Sequence, residues 1–224
     1  INDDRGQSIR TEFTSVFKRN DDLLWVSQAG QIKEFDIQKG RWNLHQPNID
    51  PPRGTDLRWA FMQPYAKDSL AIIYKNVLLL VDLKNLDYTS FPADQDEIFA
   101  RCHYDTNRHR LYLAAHSGLV TINPSNGSRS KKVFTYKTGQ GAILQHHIKE
   151  VSSFDANTLM LSGMGGHMLY QPGKDRSTLY PQQSGDYANA LSAFQHFTDR
   201  EGNIWRISLA DYVNVLYTQN RHIT

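Results

Sequence analysis

Histidine is the residue type in this 224-residue chain best suited to chemistry: there are nine, against a single cysteine. His146-His147 is the most suggestive pair, because neutral imidazole is a common metal ligand that titrates near physiological pH. Adjacent side chains on an extended segment point to opposite faces, so the two cannot share one mononuclear ion without a backbone irregularity. His103, His116, His167 and His196 are candidates for convergence on a central channel, but no His-x-x-x-His helix, cysteine cluster or carboxylate triad accompanies them. The expectation is no metal and no cofactor. Ser162-Gly163-Met164-Gly165-Gly166-His167 has the glycines of a phosphate cradle, yet it joins two apolar runs and opens no helix, so it reads as a hairpin loop. No nucleophile elbow is present, Asp94-Gln95-Asp96-Glu97 lacks calcium-loop spacing, and Cys102 reads as a small core residue. No catalytic residue is expected.

The composition bounds what could position such residues. With 39% hydrophobic, 21% charged and 11% aromatic residues and a net charge of +2, the chain folds; disordered and collagen-like classes are excluded. Ser130-Lys131-Lys132 is too short a basic run for a nucleic-acid stripe, so no nucleic-acid partner is expected. One cysteine precludes an intramolecular disulfide. The longest apolar run, Val77-Leu78-Leu79-Leu80-Val81, falls far short of the roughly 18 residues of a spanning helix, so no direct membrane insertion is expected. A chain that begins at Ile1 rather than Met is expected to be a piece of something longer.

The organising feature is a repeat. Trp25, Ile72, Tyr112, Met160 and Trp205 occupy equivalent places in short apolar runs, at spacings of 47, 40, 48 and 45 residues. Each run is followed by a turn and a second apolar run, as in Leu70-Ala71-Ile72-Ile73-Tyr74 and Leu78-Leu79-Leu80-Val81. Each is also preceded by a strand-like segment such as Phe99 to Tyr104, and the units carry a short fourth candidate such as Tyr88-Thr89-Ser90-Phe91. Asp and Asn punctuate the turns at the same phase: Asn20-Asp21-Asp22, Asp105-Thr106-Asn107, Asp155-Ala156-Asn157, then Asp36 to Gly40, Asp82 to Asn85 and Asn123 to Gly127. Their side chains bond their own backbone and tolerate positive φ, which tight hairpins require. Four short strands per unit of about 45 residues, with no helical period, predict an all-β protein, a β-propeller of about five four-stranded antiparallel blades. The blades are placed at 10–49, 57–92, 97–136, 146–181 and 189–224, in one domain over 1–224 that forms a segment of a larger propeller array.

In a propeller, the segment leading into each first strand and the turn between second and third strands emerge on one face. On that face fall Arg10, Arg58, Trp59, Glu97, His146, His147 and Asn189 from the leading segments, and Gln28, Lys75, His116, His167, Asp211 and Tyr212 from the turns. Aromatic faces stack on pyranose rings while amides and imidazoles satisfy hydroxyls, so the mixture suits a sugar. We take Arg10, Arg58, Trp59, Glu97, His116, His146, His147, His167, Asn189 and Tyr212 as the candidate ligand-binding set.

Asp199-Arg200-Glu201-Gly202-Asn203-Ile204-Trp205, followed by Asn214-Val215-Leu216-Tyr217, resembles a two-component regulator propeller repeat, as do Asp21 to Ser27 with Gly30 and Phe35-Asp36, and Leu111-Tyr112-Leu113 with Ser117-Gly118-Leu119. The second and fourth units place Ile72 and Met160 where the repeat has Trp, and Arg206-Ile207-Ser208 replaces its small ending. The resemblance implies the periplasmic sensor region of a membrane-spanning bacterial hybrid histidine kinase that detects glycan fragments without catalysis of its own. It implies an oligosaccharide ligand, further blades and a membrane-proximal domain of the same parent chain, and a homodimer. The repeat's Trp is expected to pack between blades. A metal-dependent enzyme resembling the streptogramin lyases, relying on His116, His167 or Glu97, and a protein-interaction scaffold are the alternatives.

Overall fold

A computed structural model describes residues 13–28, 31–43, 47–57, 60–95, 97–137, 141–163, 166–181, 193–198, 203–208 and 213–216. The described residues form strands and connections with no helix. The chain divides into two compact units, residues 1–100 and 101–224.

The first unit holds β1 (Phe13–Lys18), β2 (Leu23–Gln28), β3 (Gln31–Asp36) and β4 (Arg41–Trp42) in one sheet, and β5 (Ala60–Ala66), β6 (Ser69–Tyr74), β7 (Val77–Asp82) and β8 (Tyr88–Pro92) in the next. The second holds β9 (Phe99–Asp105), β10 (Arg110–Ala115), β11 (Gly118–Ile122) and β12 (Arg129–Lys132), then β15 (Ile148–Ser153), β16 (Leu159–Gly163), β17 (Gly166–Gln171) and β18 (Arg176–Pro181). A last sheet comprises β19 (Ala193–Thr198), β20 (Ile204–Ser208) and β21 (Val213–Leu216). Every described sheet pairs its strands antiparallel in chain order, and the protein has an all-β propeller fold as its repeat predicts, with four four-stranded blades and a last sheet of three strands among the described residues. One element was not anticipated. A two-stranded ribbon, β13 (Thr135–Lys137) with β14 (Ile143–Gln145), stands between the third and fourth blades and exposes Ile143 and Leu144. Its strands are three residues long, below what a repeat-based reading detects.

Turn chemistry follows the expected logic. Asn20, Asp36, Asp82, Asp105, Asn123 and Asp155 each accept backbone N–H bonds from residues two or three positions on, closing hairpins at the same phase in successive blades. Gly118 opens β11 at φ +138°, with the carbonyl of Lys132 where a Cβ would stand, so strand β12 approaches it as closely as a glycine permits. Register shifts also recur near the start of the first strand, at Phe13/Ser15, Ile148/Glu150 and Ala193/Gln195. A bulge re-aims the residue that follows it. In blade one that residue is Ser15, whose hydroxyl accepts the Met62 N–H of blade two at 2.8 Å. Ser27, fully buried, donates to the carbonyl of Ala60 at 2.6 Å on the same seam.

Trp25 is 0% exposed and packs with Ile49, Ala60, Met62, Leu70 and Ile72 of the neighbouring blade's surroundings. Its Nε1 donates to Glu34 at 2.9 Å and Arg19 lies 4.8 Å over the ring, so the indole is apolar on one side and satisfied at its polar tip. Ile72, Tyr112 and Met160, its repeat equivalents, are buried too.

In the second unit the seam between blades three and four is polar at three levels. Arg108 bonds Asp105 within its own turn and reaches Ala156 and Asn157 of the next blade. Lys132 pairs with Asp175 and lies over the rings of Phe134 and Tyr170, while the Tyr170 hydroxyl donates to Asp175. Deepest are Arg101 and Glu150, Nε to Oε2 3.5 Å, both largely buried. Burial pushes the Glu150 carboxyl up to about 8, with Arg101 opposing, and burial lowers Arg101 in turn. Desolvation therefore outweighs the attraction of the pair.

Two outcomes are expected. Trp25→Ala should cost about 3–5 kcal/mol of unfolding free energy, because it empties a close-packed seam and removes one of the bonds to Glu34; denaturant titration reads this. For Glu150, the folded carboxyl holds its proton up to about 8 and the unfolded one only to 4.5, so the folded state binds the extra proton between those values. Stability should fall as pH rises through that interval, and Glu150→Gln should flatten the decline in melting temperature.

Candidate functional site

The end of the second unit where β10 turns into β11 and β16 into β17 gathers side chains from two blades. His116 sits exposed on the β10–β11 turn. His146 and His147 lie in the connection between β14 and β15, and their rings meet different neighbours. His146 is 0% exposed, its N–H donating to the carbonyl of Phe134 at 2.8 Å and its ring edge-on to Tyr136. His147 turns the other way and meets His116 of the neighbouring blade, ring centroids 5.0 Å apart at 74°. Gln145 closes the group, its Nε2 donating to the His116 carbonyl at 3.4 Å. Gly163 makes the arrangement possible: the His147 carbonyl lies where a Cβ at 163 would stand.

His167 begins β17, opposite Ser162, and Ser162 lies opposite Glu150. The three side chains form one row across β15, β16 and β17. The Ser162 hydroxyl and His167 Nδ1 are 2.9 Å apart, a nucleophile-to-base distance, but Ser162 is only 3% exposed and Glu150 lies on the far side of Ser162 from the imidazole. A catalytic triad places its acid beyond the base, so this row is built as a buried polar seam rather than a reacting centre. The Ser162–His167 segment joins β16 to β17 as the hairpin expected, Gly163 pairing with Gly166.

Of the remaining candidates, Glu97 lies in the first unit after β8, buried, its N–H bonded to the Asp94 carbonyl. Arg10, Arg58, Trp59, Asn189 and Tyr212 lie outside the described residues. His103 lies partly buried on β9, and burial holds it below the usual imidazole range. No group of three or more His, Cys, Asp or Glu side chains gathers among the described residues. Sequence reasoning placed His116 and His147 on one face but missed Gln145 and the Tyr136 backing of His146. Both lie on the ribbon that the repeat does not encode.

A second hollow, of about 510 Å³, opens at the opposite hairpin turns of this unit, lined by Arg108, Asp155, Asn157, Thr158, Gln171 and Lys174. Arg108 spans it as a strut between blades.

No protein-family model and no curated protein matches the chain. Among solved structures it is similar to one described as the extracellular domain of the hybrid two component system BT3049 from B. thetaiotaomicron, at 17% identity and TM-score 0.62 over 93% of this chain and 27% of that one. It is likewise similar to the extracellular domain of the hybrid two component system BT4673 from the same organism, at 15% identity and TM-score 0.66 over 91% of this chain and 27% of that one. The chain thus spans about a quarter of the length of either. At this identity the likeness is one of fold: nearly the whole of this chain takes the path of a stretch of those domains.

Proposed function

We propose that this chain is a sensory propeller module of a bacterial two-component receptor, lying outside the cytoplasmic membrane and binding a glycan fragment without transforming it. The observation that carries the reading is the shared fold over more than nine-tenths of the chain with extracellular domains of hybrid two-component systems. The parent is a histidine kinase of the inner membrane, this segment faces the periplasm, and the parent contributes further blades, a membrane-proximal domain and a homodimer.

The side chains at the blade end support the ligand class. His116, Gln145 and His147 present two ring edges and an amide on a partly exposed surface shared by two blades, which matches the alternating apolar and hydroxyl edges of a sugar. A ligand held by two blades at once can favour one arrangement of them over another. The signal available to the receptor is that difference in affinity and requires no catalytic group.

Melting the purified chain against a panel of oligosaccharides tests this. One glycan class should raise the melting temperature saturably, by the equivalent of about 2.7 kcal/mol at a hundred times its dissociation constant, and should be recovered unaltered by chromatography. Conversion of the glycan to product, or no stabilisation by any glycan while a protein co-purifies, would overturn the proposal in favour of an enzyme or a scaffold.

A further inference from the structure

The close pair of imidazoles has a second capability, independent of the sensor reading. We infer that His116 and His147 form a binding site for a divalent late transition-metal ion, of which Zn²⁺ fits best. Imidazole nitrogen suits Zn²⁺, Ni²⁺ and Cu²⁺, whereas Mg²⁺ and Ca²⁺ require oxygen.

Three observations carry it. The first is separation. Two imidazoles bound to one tetrahedral zinc ion through Zn–N bonds of about 2.0–2.1 Å hold their ring centroids about 5 Å apart. The His116 and His147 centroids are 5.0 Å apart. Second, Nδ1 of His147 is buried and has no hydrogen-bond partner among the described residues. No protein donor among the described residues reaches this nitrogen, and an unprotonated ring nitrogen accepts either a hydrogen-bond donor or a metal cation. Third, both backbones are held. His116 lies on a two-residue turn fixed by the ladder between β10 and β11, and its carbonyl is bonded by Gln145. His147 is seated on Gly163 and flanked by the buried His146.

The two ligands come from different blades, and His116 is exposed, so the outer coordination positions face solvent and are open to water. The site is therefore weaker than a closed four-ligand structural site and exchanges with the medium. Bound metal would tie blade three to blade four at their loop end, where Arg101 and Glu150 tie them in the interior. Because metal and proton compete for the same nitrogen, acidification releases the ion.

Isothermal titration of the purified chain with ZnCl₂ in a non-chelating buffer tests the site, with MgCl₂ as control. One zinc ion per chain should bind, magnesium should give no heat, and His116→Asn should weaken zinc affinity about tenfold or more, as should His147→Asn. His109→Asn, which alters a histidine bonded to Tyr104 at the other end of β10, should leave binding unchanged. His116→Asn changes an exposed turn residue and decides the matter even if His147→Asn fails to fold. Absence of zinc binding, or affinity untouched by His116→Asn, overturns the inference. Neither result bears on whether a glycan binds, which is read in metal-free buffer.

Discussion

A four-stranded blade cannot bury its own faces. The second strands β6, β10 and β16 are buried along almost their whole length, on both sides of the sheet, with Leu70, Ile72 and Tyr74, then Leu111 and Leu113, then Leu159 and Leu161 among them. A side chain of this size gains about 1.5–3 kcal/mol from leaving water, but only if a neighbouring blade covers it. Within each unit, the need of one sheet for another against its face governs the packing. It explains the repeat and the placement of Trp25 against residues of the following blade.

Apolar faces alone do not set how one blade sits on the next, because a hydrophobic surface slides at little cost. Polar contacts supply the register. In the first unit, Ser15 and Ser27 hook main-chain groups of β5 at Met62 and Ala60. In the second, Arg108, Lys132 and the Arg101–Glu150 pair act at the turn, the outer edge and the interior. These contacts are directional, and the interior pair is costly to bury, which is what makes a misaligned seam unfavourable. The raised carboxyl of Glu150 records that cost.

The same stacking creates the site. A turn of one blade and the leading segment of the next lie side by side because the sheets they belong to must, so His116 and His147 meet although thirty-one residues separate them in the chain. Recognition built in this way draws on two blades, and whatever occupies it senses their relative placement. That property suits a sensor, in which differential affinity for two arrangements is the output. It also distinguishes the surface pair from the Glu150–Ser162–His167 row, whose members share one blade and are turned inward.

Period and turn chemistry are local properties, and the sequence by itself determined what depends on them. The 40-to-48-residue spacing of Trp25, Ile72, Tyr112, Met160 and Trp205, with Asp and Asn at fixed phase, was enough to specify antiparallel four-stranded blades. The sequence could assign His116, His147 and His167 to one face, but not say which of them touch. The bulge at Ile148/Glu150, the ribbon of β13 and β14, and the glycine fit at Gly163 decided that. The ribbon and the glycine fit have no repeating signal, and the contact of His116 with His147 joins two blades. Partner choice across such a seam depends on sub-ångström packing between segments distant in the chain, and only the tertiary structure supplies it.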